Sequence, residues 1–503
     1  MPRSRPNVLW ITTDQQHFDT LGVVNDEIET PNLDRLVGEG TLFDRAYCPN
    51  PTCTPTRASM ITGQLPSQHG AYSLGTKLPE SAHVVGDDFS DAGYETSLIG
   101  KAHFQPLDST EEFESLEAYP TLQDLEFWSD FHGPFYGFDH VELARNHTDE
   151  AHVGQHYALW MEEQGFEDWR DCFREPTGNR EAQHGTWNIP EEYHYDAWIA
   201  ERTNARLERH AEADEPFFCW ASFFDPHPSY LVPEPWSEMY DPEELTIPHA
   251  EPGEHDDNPP HFRRTQEEDP HFPEWDEMDQ PIHGFGSHLH DEADLAEDVA
   301  IYYGMVSMLD AYVGRVLDRL DELGLAEDTV VVFTSDHGHL YGQHGLTAKG
   351  PFHYEDLLRV PTVVRYPGEV PAGRRCSALQ SLQDLAPTVL NLCGLDAPRE
   401  MTGVDQSAVW RGDRASAREH VLVENNHEPG VLHCQTYVDE RYKLTAYQGE
   451  SYGELFDLEE DPDELHNRWD DPDYRDLKTE LLRELLSARM GAQSLWMPRI
   501  AGA

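Results

Sequence analysis

The chain carries several short runs of almost exclusively apolar residues, separated by longer polar or helix-periodic stretches. Runs of this kind predict strands that are buried on both faces, as in the parallel sheets of α/β proteins. We therefore predict an α/β fold with a large, mixed but mostly parallel sheet flanked by helices. The predicted core strands are residues 8–12, 94–99, 217–223, 330–334 and 360–365.

Helical patterns and a change in pattern near residue 410 complete the predicted architecture. Residues 31–38 begin with proline and end with glycine, and residues 291–323 carry apolar side chains along one helical face. We predict an α/β domain over 1–410 and a smaller α+β portion over 411–503. The predicted elements of that portion are strands at 420–424, 434–438 and 442–447 and a helix at 473–489.

Two long stretches do not fit the strand and helix pattern. Residues 105–214 are rich in aromatic and acidic side chains, and residues 231–290 are dense in Pro, His, Asp and Glu. We predict that both are insertions over one face of the sheet. Long insertions of this kind commonly form the walls of a substrate pocket.

Charge and composition exclude several classes of partner. The 503 residues include 96 Asp and Glu against 35 Lys and Arg, a formal net charge of −61. Nucleic acid and anionic membranes are excluded as partners, because a field of this sign repels them. The acidic residues are spread along the whole chain, which favours adaptation to high salt, where such self-repulsion is screened.

The location in the cell is predicted from what the sequence lacks. The apolar run at 8–11 is too short for a signal-peptide core, and no run reaches transmembrane length. The seven cysteines form neither a disulfide pattern nor zinc-type pairs. We therefore expect a cytoplasmic protein.

Ionisable and amide side chains that can bind ligands or transfer protons follow four of the predicted strands. Ligands of open α/β sheets gather beyond the carboxyl ends of the strands, so we expect these residues to form one site. The residues are Asp14, Gln15, Lys101, His103, Asp225, His227, Asp336 and His337.

Asp14, Gln15, Asp336 and His337 are the predicted ligands of one divalent cation. Their carboxylate and amide oxygens suit Ca²⁺, Mg²⁺ or Mn²⁺, and the imidazole leaves Mn²⁺ or Zn²⁺ open.

Lys101, His103, His227 and Lys349 are the predicted cations and proton carriers around an anion that is being transferred. The chain has only five lysines, and two of them fall in this set.

Cys53 lies directly before a predicted helix start, in the stretch Cys53-Thr-Pro-Thr-Arg57. Pro55 is typical of the first helical turn, so backbone N–H groups are expected to point toward the thiol. From the residues alone, Cys53 is a small buried hydrophobe, a disulfide partner or a nucleophile that faces an anion.

The same stretch resembles the Cys-x-Pro-x-Arg signature of the type I sulfatases, in the alkaline phosphatase superfamily. Flanking residues 30–36 and 60–64 are similar to that family as well. Further blocks resemble the family in the family's order and extend the likeness over nearly the whole chain. These blocks are residues 100–103, 225–227, 335–338, Lys349 and 453–462.

This resemblance implies a chemistry for Cys53 and for its neighbours. A separate formylglycine-generating enzyme would convert Cys53 to formylglycine, whose gem-diol binds the metal together with the ligands above. One hydroxyl attacks sulfur, and the second expels sulfate as the aldehyde re-forms. Arg57 would fix the nucleophile's oxygen, and Lys101 and Lys349 would neutralise the transferring group.

The resemblance also assigns proton transfers, a substrate class and the C-terminal architecture. His103 would assist the gem-diol's proton, and His227 or Lys349 would protonate the departing alcohol. The implied substrate is a small sulfated sugar, aryl sulfate or alkyl sulfate. The strands of the C-terminal portion would form a small antiparallel sheet beside the main one.

The chain departs from the commonest family pattern at two metal positions. Gln15 stands where many members have Asp, and His337 where many have Asn. Calcium remains the expected ion, with Mn²⁺, Mg²⁺ and Zn²⁺ as alternatives. A similar pairing occurs in choline sulfatase-like and phosphonate monoester hydrolase-like members, so phosphonate monoester or phosphodiester hydrolysis is the alternative activity. If Cys53 stays unmodified, the chain is instead a non-catalytic anion-binding relative.

Overall fold

The computed structural model of the chain describes residues 5–145, 152–173, 184–213, 215–273, 284–427, 432–493, 495, 497 and 499–500. Its main element is an eight-stranded sheet. In chain order the strands of that sheet are β1 (Asn7–Thr13), β2 (Thr41–Phe43), β3 (Glu95–Gly100), β4 (His140–Leu143), β5 (Phe217–Ser222), β6 (Thr329–Ser335), β7 (Thr362–Arg365) and β8 (Arg374–Cys376).

The sheet is mostly parallel, as predicted. Its spatial order is β8-β2-β7-β6-β1-β5-β3-β4. β1 pairs in parallel with both β5 and β6, and β3 pairs in parallel with β5 and β4. Only β7 runs against its two neighbours, β6 and β2. The carboxyl ends of β1, β3, β5 and β6 therefore meet at one edge of the sheet.

Helices cover both faces of the sheet. The longer helices are α1 (Pro31–Glu39), α2 (Cys53–Thr62), α3 (Val85–Asp91), α4 (Gln155–Glu163), α5 (Tyr195–Ala213), α6 (Glu292–Glu322), α7 (Leu385–Leu392) and α8 (Arg475–Gly491). One apolar layer includes side chains of α2, α3 and α7, and the opposite layer includes side chains of α1, α4, α5 and α6. Shorter helices are Pro66–His69, Leu125–Asp130, Pro260–Arg264, Glu355–Leu358 and Ser407–Trp410.

The stretch 105–214 differs from the expected insertion, because it supplies part of the core. β4 pairs with β3 and forms the edge of the sheet, with Val141 and Leu143 buried. Glu142 of the same strand is neutralised by Arg202 of α5, whose Nε donates to its carboxylate at 2.5 Å. The strand was missed because it is short and half polar. In the stretch 231–290, the described residues form loops and short helices after a short strand at Tyr230–Val232.

The C-terminal portion contains the antiparallel sheet that the resemblance implied. Its four strands pair in chain order, and α8 packs against them through Leu481 and Leu485. The strands are β9 (Val421–His427), β10 (Leu432–Val438), β11 (Tyr442–Tyr447) and β12 (Gly453–Asp457). The last strand was not predicted. The boundary near residue 410 stays a prediction.

The length and apolar character of the helices decide whether any of them can cross a bilayer. Within the described residues, no helix combines the length and the apolar character that crossing a bilayer requires.

Candidate active site

The predicted site residues converge where the parallel strands end. β1 is in register with both central neighbours, so that Thr12 pairs with Ser222 and Thr13 with Ser335. Residues that follow these positions must therefore lie side by side, although the chain separates them by hundreds of residues. Asp14 and Asp336 are adjacent for this reason, and both are completely buried.

Cys53 is the first residue of α2, where free backbone N–H groups favour an anion. Its thiol is buried in the middle of the site. Sγ lies 3.5 Å from Asp14 Oδ1, 3.2 Å from His337 Nε2 and 3.1 Å from Lys349 Nζ. Three interpretations of Cys53 were open from the sequence. This polar and charged environment contradicts the interpretation as a small buried hydrophobe, and the thiol forms no disulfide.

Asp14, Cys53, Asp336 and His337 form a group that can hold a metal ion. One ligand atom from each lies within 4.8 Å of every other. His337 Nε2 is 3.9 Å from Asp14 Oδ1 and 3.7 Å from Asp336 Oδ1. Two carboxylates, an imidazole and a sulfur or oxygen at residue 53 are a donor set that suits a divalent cation.

Gln15 fits the same cation through its side-chain oxygen. Its Oε1 is buried and has no hydrogen-bond partner among the described residues, which is costly unless a ligand satisfies it. Its Nε2 is held 2.8 Å from His339 Nδ1, and its backbone N–H donates to Asp336 Oδ1 at 3.1 Å. The backbone of Gln15 has a φ of 63°, a left-handed conformation that a non-glycine residue rarely adopts.

Arg57 and Lys101 are buried beside the metal group and contact its carboxylates. Arg57 Nε donates to Asp336 Oδ2 at 2.7 Å, and Nη1 donates to Ser222 Oγ at 2.7 Å. Lys101 Nζ pairs with Asp14 Oδ2. Arg57 Nη2 has no partner among the described residues and is the nitrogen left for the predicted contact with residue 53.

Lys349 connects the thiol to His227. Lys349 Nζ lies 3.0 Å from His227 Nε2, and His227 Nδ1 lies 2.5 Å from the carbonyl oxygen of Pro228. A carbonyl only accepts, so Nδ1 carries the proton and Nε2 accepts from the Lys349 ammonium. The arrangement places a proton donor and a proton acceptor side by side at the mouth of the site.

His103 is buried in a left-handed backbone conformation, with a φ of 58°. Glu117 holds this turn, because its carboxylate accepts the backbone N–H groups of His103, Phe104 and Gln105 at 2.7, 2.8 and 3.0 Å. Burial and the positive charges of Arg145 and Lys101 lower the pKa of His103 well below its ordinary value. The imidazole is therefore neutral at pH 7 and can accept a proton.

The charges of the site also shift the pKa values of the acidic groups. Burial alone raises the pKa of Asp14, but the neighbouring cations, Lys101 first among them, lower it well below its ordinary value. Burial and Asp14 raise the pKa of the Cys53 thiol, and Lys101 and Lys349 outweigh them, so that the net shift is downward. The site thus favours negative charge at residue 53.

Several contributors were not predicted from the sequence. Glu117, Ser222 and His339 hold His103, Arg57 and Gln15 in place, and Arg145 adds a positive charge. The position of Arg145 depends on β4, which the sequence pattern did not indicate.

A cavity of about 550 Å³ opens beside Lys349 and His227. His184, from the stretch 105–214, and His290, from the stretch 231–290, are among its lining residues. The prediction that both stretches contribute to a pocket wall is therefore consistent with the geometry.

Comparison with known proteins gives the family. The chain matches the Sulfatase family model over residues 6–395 and the model "N-sulphoglucosamine sulphohydrolase, C-terminal" over residues 342–491. An uncharacterized sulfatase of Escherichia coli is 28% identical over 96% of this chain and 86% of its own. An arylsulfatase of Clostridium perfringens is 27% identical over 96% of this chain and 94% of its own.

The fold is similar to that of a solved hydrolase. The phosphonate monoester hydrolase of Agrobacterium radiobacter superposes with a TM-score of 0.79 and 26% identity, covering 99% of this chain and 98% of its own. Fold and site define an enzyme of the alkaline phosphatase superfamily. Within that superfamily, the chain belongs to the sulfatase family.

Proposed function

We propose that this enzyme hydrolyses sulfate monoesters of small alcohols after conversion of Cys53 to formylglycine. The observation that carries the proposal is the position of the Cys53 Sγ at the start of α2, within 3.5 Å of Asp14, His337 and Lys349. A nucleophile at this point faces the cations and ligands that an oxyanion requires. A thiol buried for packing alone needs none of them.

Two groups that come from outside the chain complete the proposed chemistry. Formylglycine at residue 53 would supply a hydrated aldehyde, with one hydroxyl to attack sulfur and a second to release sulfate. A divalent cation held by Asp14, Gln15, Asp336, His337 and residue 53 would act as a Lewis acid and lower the pKa of the nucleophile. Calcium is the proposed ion, with Mn²⁺, Mg²⁺ and Zn²⁺ as alternatives.

The residues around the nucleophile have separate tasks. His103, which is neutral, accepts a proton from the hydrated aldehyde. Arg57 holds Asp336 in place, and Lys101 holds Asp14, so that the ligand carboxylates keep their orientation. The proposed role of Arg57 is also to hold the nucleophile's oxygen, and that of Lys101, together with Lys349, is to offset charge on the transferring group.

Departure of the alcohol requires a proton. Lys349 lies between residue 53 and His227, and the Lys349 ammonium donates to the Nε2 atom of His227. We assign protonation of the leaving oxygen to this pair. The neighbouring cavity provides space for the alcohol.

Hydrolysis of phosphonate monoesters or phosphodiesters is the second candidate. It is supported by the likeness to the phosphonate monoester hydrolase and by Gln15 and His337 at the metal positions. Both activities use the same nucleophile and the same cation, so a direct comparison of substrates separates them.

The test is a substrate panel measured on one preparation. The chain is co-produced with a formylglycine-generating enzyme and assayed in high salt with 4-nitrophenyl sulfate, sulfated monosaccharides and 4-nitrophenyl phenylphosphonate. We expect the highest kcat/KM with a sulfate ester, and Cys53→Ala should lose turnover by several orders of magnitude. A higher kcat/KM with the phosphonate ester would favour the second candidate, and no turnover of any ester would favour a non-catalytic anion-binding protein.

A further inference from the structure

Arg145 is a buried arginine that the proposed mechanism does not use. Its side chain is only 1% exposed. Its three guanidinium nitrogens, Nε, Nη1 and Nη2, have no hydrogen-bond partner among the residues that the structure describes. A guanidinium remains charged in proteins and carries five N–H donors, so its burial without partners is strongly unfavourable. Such a group is retained where a ligand supplies the missing acceptors.

Strand pairing places Arg145 at the edge of the sheet that carries the candidate site. Leu143, the last residue of β4, is in register with Gly100, the last residue of β3. The backbone N–H of Ala144 donates to the carbonyl of Gly100 at 3.1 Å, which continues the pairing past the strand ends. Arg145 therefore follows β4 at the same edge of the sheet where Lys101 follows β3.

Several charged groups lie close enough to act on the Arg145 guanidinium. Glu117 is one, but both of its carboxylate oxygens already accept backbone N–H groups of residues 103–105. Residue 53 and Asp14 are two others, and their charges also act on the guanidinium. Arg145 forms no ion pair with a described carboxylate, so its donors are available to an anion in the site.

We propose that Arg145 is a further substrate-binding residue, whose guanidinium hydrogen-bonds the sulfuryl oxygens of the ester and of the sulfate product. The inference rests on the proposed function. A planar guanidinium offers two parallel donors to two oxygens of one oxyanion, which suits a tetrahedral sulfate better than a point charge does. Asp14 and residue 53 are already occupied by Lys101 and Lys349, so Arg145 adds a donor that is not engaged in the free enzyme.

Replacement of Arg145 by an apolar residue should not destabilise the folded protein. Arg145→Met removes a buried charge without a partner and keeps a long apolar side chain. The melting temperature should therefore stay equal to that of the wild type or rise, whereas loss of a structural ion pair would lower it. The matched control is Arg365→Met, because Arg365 is also buried but pairs with Glu39 and Asp321 at 3.4 Å. That control should melt lower and bind sulfate like the wild type.

The experiment measures inhibition by inorganic sulfate, with metal and ionic strength held constant, in the wild type, Arg145→Met and Arg365→Met. For Arg145→Met we expect the inhibition constant to rise at least about tenfold and kcat/KM for 4-nitrophenyl sulfate to fall on the order of 10²-fold. Arg145→Gln gives the same test if the methionine variant does not fold. An unchanged inhibition constant in either variant overturns the role of Arg145.

The two proposals fail in different ways. A wild-type enzyme that cleaves sulfate esters, with Arg145 variants that bind sulfate equally well, contradicts only the inference about Arg145. A wild-type enzyme that neither cleaves sulfate esters nor binds sulfate contradicts the proposed function as well.

Discussion

Lys349 Nζ lies 3.1 Å from Cys53 Sγ, although 296 residues separate the two in the chain. The same ammonium is 3.0 Å from His227 Nε2. One cation therefore contacts both the position of the nucleophile and a histidine at the pocket. This relationship combines two demands of ester hydrolysis, which are an electrostatic partner for the attacking group and a proton for the departing alcohol.

Replacement of Lys349 by alanine should reveal the proton that it delivers. We expect kcat for an alkyl or sugar sulfate to fall on the order of 10³-fold, because these alcohols depart poorly without a proton. The loss with 4-nitrophenyl sulfate should be clearly smaller, since nitrophenolate departs unprotonated. Steady-state kinetics with both esters provide the measurement. Equal losses with both would assign Lys349 to charge stabilisation alone.

Replacement of Asp336 by asparagine should remove bound metal and activity together. Asp336 supplies one of the two carboxylates of the metal group, and its loss also leaves Arg57 without its ionic partner. Metal content by plasma mass spectrometry and turnover are measured on the same sample. Full metal content with full turnover in this variant would contradict the assignment of the site.

A matched control for Asp336 is available elsewhere in the molecule. Asp310 is also buried, and it accepts backbone N–H groups of Asn32 and Leu33 at the start of α1. Asp310→Asn should reduce stability but keep metal and turnover. Metal loss in this control would indicate that partial unfolding, not ligand removal, explains the result.

Stability should decrease with rising pH because of a buried histidine outside the active site. His344 pairs with Glu254 and lies 3.5 Å from Asp356. Burial lowers the pKa of His344, but these acids outweigh it and raise the pKa to about 9. A raised pKa stabilises the folded chain fully below the unfolded pKa of about 6.5, and this contribution is lost as the pH passes 9.

The variant His344→Asn isolates this contribution, because asparagine tolerates the left-handed backbone of position 344. The free energy of unfolding is measured by denaturant titration between about pH 6 and pH 10 for both proteins. The advantage of the wild type should shrink by about 3 kcal/mol over this range. A difference that does not change with pH would contradict the ionic role of His344.

Salt should stabilise the protein because its charges repel each other. With a net charge of −61, the folded chain is destabilised when the Debye length is about 10 Å, at 0.1 M salt, and less so when it is about 3 Å, at 1 M. The melting temperature should therefore rise with KCl. Sucrose at equal osmolality controls for general exclusion from the surface. A melting temperature indifferent to KCl would refute the adaptation to high salt.

The sequence predicted those parts of the fold that depend on local pattern. Strands such as β1 and β6 are apolar throughout, so burial on both faces identified them. β4 and β12 were missed because they are short and contain polar residues that tertiary partners neutralise. Glu142, for example, is tolerated in β4 because Arg202 reaches it from α5.

The residues of the candidate site could be predicted from the sequence, but the contacts between them could not. Asp14, Cys53, Asp336 and His337 come from motifs that the sequence displays, and the structure places them together. The contact between Arg57 and Asp336 depends on the register of distant strands, which no local pattern carries. Arg145 was missed for the same reason, because it lies near the site only through the pairing of β4 with β3.

The central claim is that residue 53 acts as an aldehyde and not as a thiol. The most direct test compares the aldehyde fraction at residue 53 with the specific activity. The comparison uses several preparations that differ in their exposure to a formylglycine-generating enzyme. In each preparation, mass spectrometry of the peptide ending at Arg57 gives the fraction of aldehyde, and specific activity is measured with 4-nitrophenyl sulfate. We predict that activity is proportional to the aldehyde fraction and vanishes when that fraction is zero. Full activity in a preparation whose Cys53 is entirely unmodified would contradict the account.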